Sequence, residues 1–103
     1  MIMYTLYFNE TSNAPASARK YALYFYVNSK DHFWSQKTYN TPASARKSAY
    51  RLLEVMPKDA YAKIYDYRTD LFTEVLFIKD GIFKASDEDH IWSVNPKTGG
   101  LKH

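Results

Sequence analysis

The sequence predicts an α+β fold in which one α-helix packs on one face of an antiparallel sheet of about five or six strands. Three observations support this fold class. One segment has helical periodicity with both of its ends marked, the segments around it alternate in the manner of strands, and Asp80-Gly81 is a strong hairpin signal. The predicted order is β-β-β-α-β-β-β, forming a single domain over residues 1–94 with a flexible C-terminal tail over 95–103.

The helix is predicted over about residues 42–56. Thr41 is a good N-cap, Pro42 suits the first helical position, and Pro57 ends the helix because proline cannot continue it. The spacing places an apolar stripe on one side, with Leu53 at its edge, made of Ala45, Ala49, Leu52 and Met56. The polar residues of the opposite side are Lys47, Arg51 and Glu54.

Three strands are predicted before the helix, over residues 2–8, about 21–29 and 32–39. The first alternates, with Ile2, Tyr4, Leu6 and Phe8 on one side and Met3, Thr5 and Tyr7 on the other. Turn formers between the first two strands predict a loop over residues 9–18. Three strands are predicted after the helix, over residues 60–68, 71–79 and 82–85, and residues 91–94 form either one more short strand or a cap on the core.

An identical hexapeptide occurs twice, over residues 15–20 and 42–47. The repeat indicates either a duplicated recognition element or a coincidence of two helix-start-like segments. The residues that follow the first copy favour a strand, whereas those that follow the second favour a helix. Both interpretations stay open, and in either of them the repeat supplies basic residues, namely Arg19, Lys20, Arg46 and Lys47.

Composition limits the classes of protein that this chain can represent. It has no cysteine, which excludes disulfides and thiolate zinc sites and suits a reducing cytoplasm. The first eight residues suit a strand better than a secretion signal, and the longest apolar run, over 21–27, is far too short to span a membrane. The net charge of +3 is modest, but the basic excess lies in the first half of the chain.

No catalytic residue, metal ligand or cofactor site is predicted. The sequence has neither a Gly-x-Ser-x-Gly nucleophile motif nor a glycine-rich phosphate loop. The acidic cluster over residues 87–90 lacks the ligand spacing of a calcium loop or a helical zinc site. We therefore expect a solvated acidic turn there and a protein that is not an enzyme.

Tyrosine is the most unusual feature of the composition, with ten residues in the chain. Strand alternation places Tyr61, Lys63, Tyr65 and Tyr67 on one face of the sheet, and Tyr24 and Tyr26 on the same face of a neighbouring strand. Three interpretations are open: rings that merely shield the sheet, a protein-binding surface, or a surface that stacks nucleobases with basic residues near phosphates.

Of these interpretations the sequence favours a small, non-enzymatic protein-binding module that acts by steric occlusion. Arg46, Lys47 and Arg51 are predicted to form a second, electrostatic contact, direct nucleic-acid binding is the alternative, and an edge strand offers a route to a homodimer. In size and composition, though in no motif, the chain resembles the accessory proteins that phages and mobile elements encode. That resemblance implies an inhibitor, for example of a host nuclease such as a CRISPR effector.

Overall fold

The computed structural model of the protein describes residues 20–27, 31–34 and 37–102, of which 31–34 are described by their backbone alone. The predicted strand over 2–8, the loop over 9–18 and the first repeat copy up to residue 19 lie outside the described residues. Within them the chain forms seven strands and one helix, in this order: β1 (Tyr21–Val27), β2 (Asp31–Trp34), α1 (Pro42–Leu53), β3 (Tyr61–Asp66), β4 (Leu71–Lys79), β5 (Ile82–Ser86), β6 (Ile91–Val94) and β7 (Leu101–Lys102).

The strands form one antiparallel sheet in the order β2-β1-β3-β4-β5-β6-β7. Helix α1 connects β2 to β3, and it packs against β1, β3 and β4. The predicted α+β class, with one helix on an antiparallel sheet, is therefore confirmed. Two details differ among the described elements: the sheet has one strand more than expected, and the helix follows the second described strand.

Helix α1 begins where the sequence predicts. The Thr41 hydroxyl accepts a hydrogen bond from the Ser44 backbone N–H at 3.1 Å, and Pro42 is the first helical residue. The helix ends at Leu53, three residues before the predicted end at 56, and a turn follows. Pro57 disfavours the helical conformation at Met56, the residue that precedes it, so the helix cannot reach the predicted end.

The buried stripe of α1 is rotated from the predicted one. Ala45, Ala49 and Leu53 are buried, as is Arg46, whereas Leu52 and Met56 are only partly buried at the border of the core. Alanines at the contact let the helix lie close to the sheet. Beneath it lie the largest fully buried side chains of the described residues, Leu23, Ile64 and Leu76. These three residues belong to the adjacent strands β1, β3 and β4, so the core is a single layer between helix and sheet.

The predicted hairpin between β4 and β5 is present. Asp80 and Gly81 have φ values of 54° and 79°, so both central residues of the turn lie in the left-handed region. A two-residue turn of this kind matches the right-handed twist of the flanking strands, and Asp-Gly is one of the sequences that tolerate it.

The segment after β6 differs from the flexible tail that the sequence predicts. Residues 96–98 form a turn, and β7 (Leu101–Lys102) then pairs with β6. Gly99, with φ of 76°, packs so closely on α1 that an added Cβ would lie 1.9 Å from the Ala43 carbonyl oxygen. Over residues 95–102 the tail is therefore corrected to a turn and an edge strand docked against the helix.

The docked segment is joined to the core by Arg46. Its guanidinium donates to both carboxylate oxygens of Glu74 on β4, at 2.8 and 2.6 Å, and to the Gly99 carbonyl oxygen at 2.9 Å. Arg46 is 8% exposed. A two-bond pairing of arginine with carboxylate is among the stronger polar contacts in proteins, and here it links α1, β4 and the C-terminal segment.

Candidate functional site

The face of the sheet that points away from α1, here called the distal face, is where the predicted tyrosines and Lys63 lie. Cross-strand pairing places Tyr24 opposite Lys63 and Tyr26 opposite Tyr61. The neighbouring positions Leu23, Phe25, Ala62 and Ile64 are buried on the helix side. Because successive strand residues point to opposite faces, the tyrosines and Lys63 share the distal face.

The rings on this face form a continuous cluster. Tyr26 and Tyr61 are stacked, with centroids 4.9 Å apart and an interplanar angle of 10°. Tyr65 makes edge contacts with Tyr24 at 6.0 Å and Tyr67 at 5.2 Å. The structure thus brings together all five predicted tyrosines around Lys63. They form two groups, the stacked pair of Tyr26 and Tyr61 and the edge-packed group of Tyr24, Tyr65 and Tyr67.

Phe72 joins the cluster, although the sequence did not predict it as a site residue. Its ring centroid lies 5.3 Å from those of both Tyr24 and Tyr65, and its side chain is 47% exposed. A register shift between Ile64 and Tyr65 in the pairing of β3 with β4 sets Phe72 opposite Tyr65. Such an irregularity is not visible in the period-2 pattern of β4, which is why this residue was missed.

Lys63 lies among the rings. Its Nζ is 5.2 Å from the centroid of Tyr26 and 5.3 Å from that of Phe72, which are cation–π distances. The lysine therefore bridges the stacked pair to the edge-packed group. A positive charge held between rings is a preorganised contact for a negatively charged group on a partner.

The tyrosines of the distal face are partly buried and partly exposed. Burial raises the pKa of Tyr24, and the nearby phenols of Tyr67 and Tyr26 add to the effect. Burial and the phenol of Tyr61 likewise raise the pKa of Tyr26. These hydroxyls are therefore neutral at physiological pH, so they can donate and accept hydrogen bonds while adding no charge of their own.

A further apolar region extends the distal face beyond the tyrosine cluster. Pairing with β5 and β6 places further apolar residues on the same side, namely Val75, Phe77, Ile82 and Ile91. Ile82 is 48% exposed and Ile91 is 64% exposed. Large exposed apolar side chains that adjoin an aromatic cluster are typical of an interaction surface.

The structure removes Arg46 from the second, electrostatic contact that was predicted for Arg46, Lys47 and Arg51. Arg46 is buried and donates hydrogen bonds to Glu74 and Gly99, because the helix is rotated so that this residue faces β4. Lys47 and Arg51 are exposed, but they project from α1. They therefore lie across the sheet from the tyrosines, and the two predicted groups do not form one site.

The acidic cluster over residues 87–90 forms a turn. Asp87 Oδ1 accepts hydrogen bonds from the backbone N–H groups of Asp89 and His90, each at 2.8 Å. These two hydrogen bonds, with the nearby His90 side chain, lower the pKa of Asp87. Within the described part of the chain no group of three or more His, Asp or Glu residues could hold a metal ion.

A cavity of about 410 Å³ lies between the end of α1 and the β4–β5 hairpin. Apolar side chains such as Leu53, Met56 and Ile78 line part of it, with Lys58 and Lys79 among the polar lining residues. Neither a serine nor a histidine is among its lining residues. It therefore offers no serine–histidine pair.

Comparisons with protein-family models, with curated proteins and with solved structures find no match for this chain. In the described ranges, no helix has the length and apolar character needed to cross a membrane. Function must therefore be inferred from the distal face itself.

Proposed function

We propose that the protein is a non-enzymatic protein-binding module whose distal face docks on a partner and sterically occludes the surface that it covers. The observation that carries this proposal is the cluster of partly exposed rings around Lys63. Tyrosine supplies large contact area with few rotatable bonds and ends in a hydrogen-bonding hydroxyl, which is why it is frequent among residues that dominate interface energetics.

The packing of the rings favours a protein partner over nucleobases. Stacking a base requires an open aromatic face. Here Tyr26 and Tyr61 stack on each other, and Phe72 and Tyr65 pack edge-to-face with their neighbours. The cluster therefore offers ring edges and hydroxyl groups more than open π-faces, and these suit the varied polar and apolar groups of a protein surface.

Direct nucleic-acid binding is the second candidate, favoured by the position of Lys63 among the rings. If the protein binds nucleic acid directly, its affinity must fall steeply as the salt concentration rises, because each neutralised phosphate releases counterions.

The resemblance noted from the sequence implies an inhibitor of a host nuclease. In that role the protein would occlude a surface of the nuclease. This role stays a prediction.

Tyr61→Ala tests the proposed site. Tyr61 contacts Tyr26 at the border of the cluster, whereas Tyr65 packs on three rings and would disturb the fold more when truncated. Wild-type protein and the variant are each immobilised and exposed to an extract of the source cells. We expect the variant to retain at least about tenfold less of a stoichiometric partner than the wild type retains. A loss of this size is typical of a residue near an interface hot spot. Retained material is identified by mass spectrometry and its nuclease sensitivity.

Arg51→Ala is the matched control, because Arg51 is exposed on the helix side. It should retain the partner as the wild type does. Equal retention by the Tyr61→Ala variant and the wild type would remove the distal face as the binding site. Retention that disappears on nuclease treatment would instead support the nucleic-acid alternative.

A further inference from the structure

We infer that the partner presents to the distal face an acidic protein surface in which carboxylates are interspersed with apolar side chains. This inference rests on the proposed function and specifies the chemistry of the partner. It is carried by the distribution of charge between the two faces of the sheet and by the order in which lysines and apolar residues pair across the strands.

Among the described side chains, every charged strand residue on the distal face is a lysine. Lys63 pairs with Val75, Lys79 with Ile82, and Ser93 lies between Lys84 and Lys102 on the adjoining strands. The lysines thus extend from β3 to β7, and in the described part of the chain none of them makes an ion pair.

The strand carboxylates whose side chains are described, Asp66 and Glu74, lie on the other face and are already neutralised. Glu74 pairs with Arg46. Asp66 accepts hydrogen bonds from the backbone N–H of Arg68 and from its guanidinium, at 2.8 and 3.4 Å. Burial raises the pKa of Asp66, but these contacts outweigh it and leave the pKa below its ordinary value. Both acids are therefore committed to the fold, and among the described side chains the distal face has no strand carboxylate to balance its lysines.

The lysines alternate with apolar residues across the strands. Val75 is opposite Lys63, Phe77 is opposite Lys84, and Ile82 is opposite Lys79. A ligand that satisfied only the positive charges would leave these apolar side chains in water. A segment that carries both carboxylates and apolar side chains would match the charges and bury the apolar area, which is the larger source of binding free energy.

A second copy of this chain is a poor occupant of the distal face. Two such faces placed together would oppose lysines to lysines, and like charges across an interface are unfavourable. The edge strands offer another route to a dimer, but β7 is two residues long and contains Lys102. A short edge strand with a lysine is one of the ways in which sheets avoid edge-to-edge pairing.

The test uses two fluorescent dodecapeptides of equal charge, one of alternating glutamate and leucine and one of alternating glutamate and serine. We expect the glutamate–leucine peptide to bind wild-type protein at least about fivefold more tightly at physiological salt, because it alone buries apolar area. The double variant Lys63→Glu/Lys84→Glu should weaken that binding by about tenfold or more.

The matched control is Lys47→Glu/Arg51→Glu, which makes the same change in net charge on the helix side. It should change the affinity by less than about threefold, as expected for charges outside the contact. If the first double variant does not fold, Lys79→Glu/Lys102→Glu replaces it, since both of these lysines are exposed.

Equal losses in the two sets of variants would mean that the peptides sense net charge alone, which would overturn the inference. Equal affinity for the two peptides, or a dT20 oligonucleotide that binds more tightly than either, would overturn it as well. These outcomes are separate from failure of the proposed function. A cellular partner that still requires Tyr61 would leave the proposed function standing even if the acidic peptides failed to bind.

Discussion

Replacing Arg46 by methionine is expected to lower the free energy of unfolding by about 3–5 kcal/mol. Methionine retains much of the length of the arginine stem but removes its five N–H donors. The carboxylate of Glu74, whose side chain is 13% exposed, would lose both of its hydrogen bonds, and the Gly99 carbonyl would lose one. A buried charge left without a partner is among the largest single costs in a folded protein. Urea denaturation measures the change.

Two companion variants separate the ion pair from simple packing. Lys47→Met, one residue along the same helix and exposed, should stay within about 0.5 kcal/mol of the wild type. Arg46→Met combined with Glu74→Leu should recover much of the lost stability, because no charge is then left buried. If Arg46→Met alone lowered the free energy of unfolding by less than about 1 kcal/mol, the ion pair between α1 and β4 would not be a major contribution to stability.

Gly99→Ala is expected to cost at least about 2 kcal/mol more than Gly81→Ala. Both glycines have nearly the same positive φ, 76° at Gly99 and 79° at Gly81. The cost of placing an alanine in the left-handed region, about 1–2 kcal/mol, is therefore common to both substitutions. Only at Gly99 does the new methyl group meet backbone, 1.9 Å from the Ala43 carbonyl oxygen, whereas nothing lies within 4 Å at Gly81.

The comparison of the two glycine variants is made by thermal and urea denaturation under the same conditions. Their difference isolates the steric contact between the C-terminal segment and the start of α1. A smaller loss at Gly99 than at Gly81 would mean that the segment can leave the helix at little cost. It would then favour the flexible tail that the sequence predicts.

The elements that sequence predicted well are those whose signals are local. The alternation of β3 placed Ala62 and Ile64 in the core and Lys63 on the other face, since a strand has a period of two residues. Thr41-Pro42 marked the helix start because capping involves only neighbouring residues. The Asp80-Gly81 turn is likewise specified by its own two residues.

What sequence could not predict depends on contacts between distant parts of the chain. Arg46 has the polarity of a surface residue, and its burial follows from Glu74 and Gly99, which lie 28 and 53 positions away. Strand β7 is too short for its two residues to form a pattern, and it is held in place by pairing with β6. Phe72 reached the tyrosine cluster through a register shift that only the partner strand reveals.

The candidate site, too, could be predicted where the signal is local and not where it depends on strand pairing. Period-2 alternation was enough to group the tyrosines of β1 and β3 with Lys63, and the structure brings these residues together. The further apolar region of the distal face could not be predicted in this way, because it depends on the pairing of β4 with β5 and of β5 with β6. The basic residues of α1 were predicted from their charge alone to form a second contact, and the burial of Arg46 could not be read from that charge.

Site-specific photo-crosslinking tests the central claim most directly. A photoreactive phenylalanine analogue is placed at position 61 on the distal face or at position 47 on the exposed side of α1, and each protein is irradiated in an extract of the source cells. We expect a discrete crosslink to one protein from position 61, competed by unlabelled wild-type protein, and none from position 47. A crosslink from position 47 alone, or one from position 61 to nucleic acid in place of protein, would contradict the account.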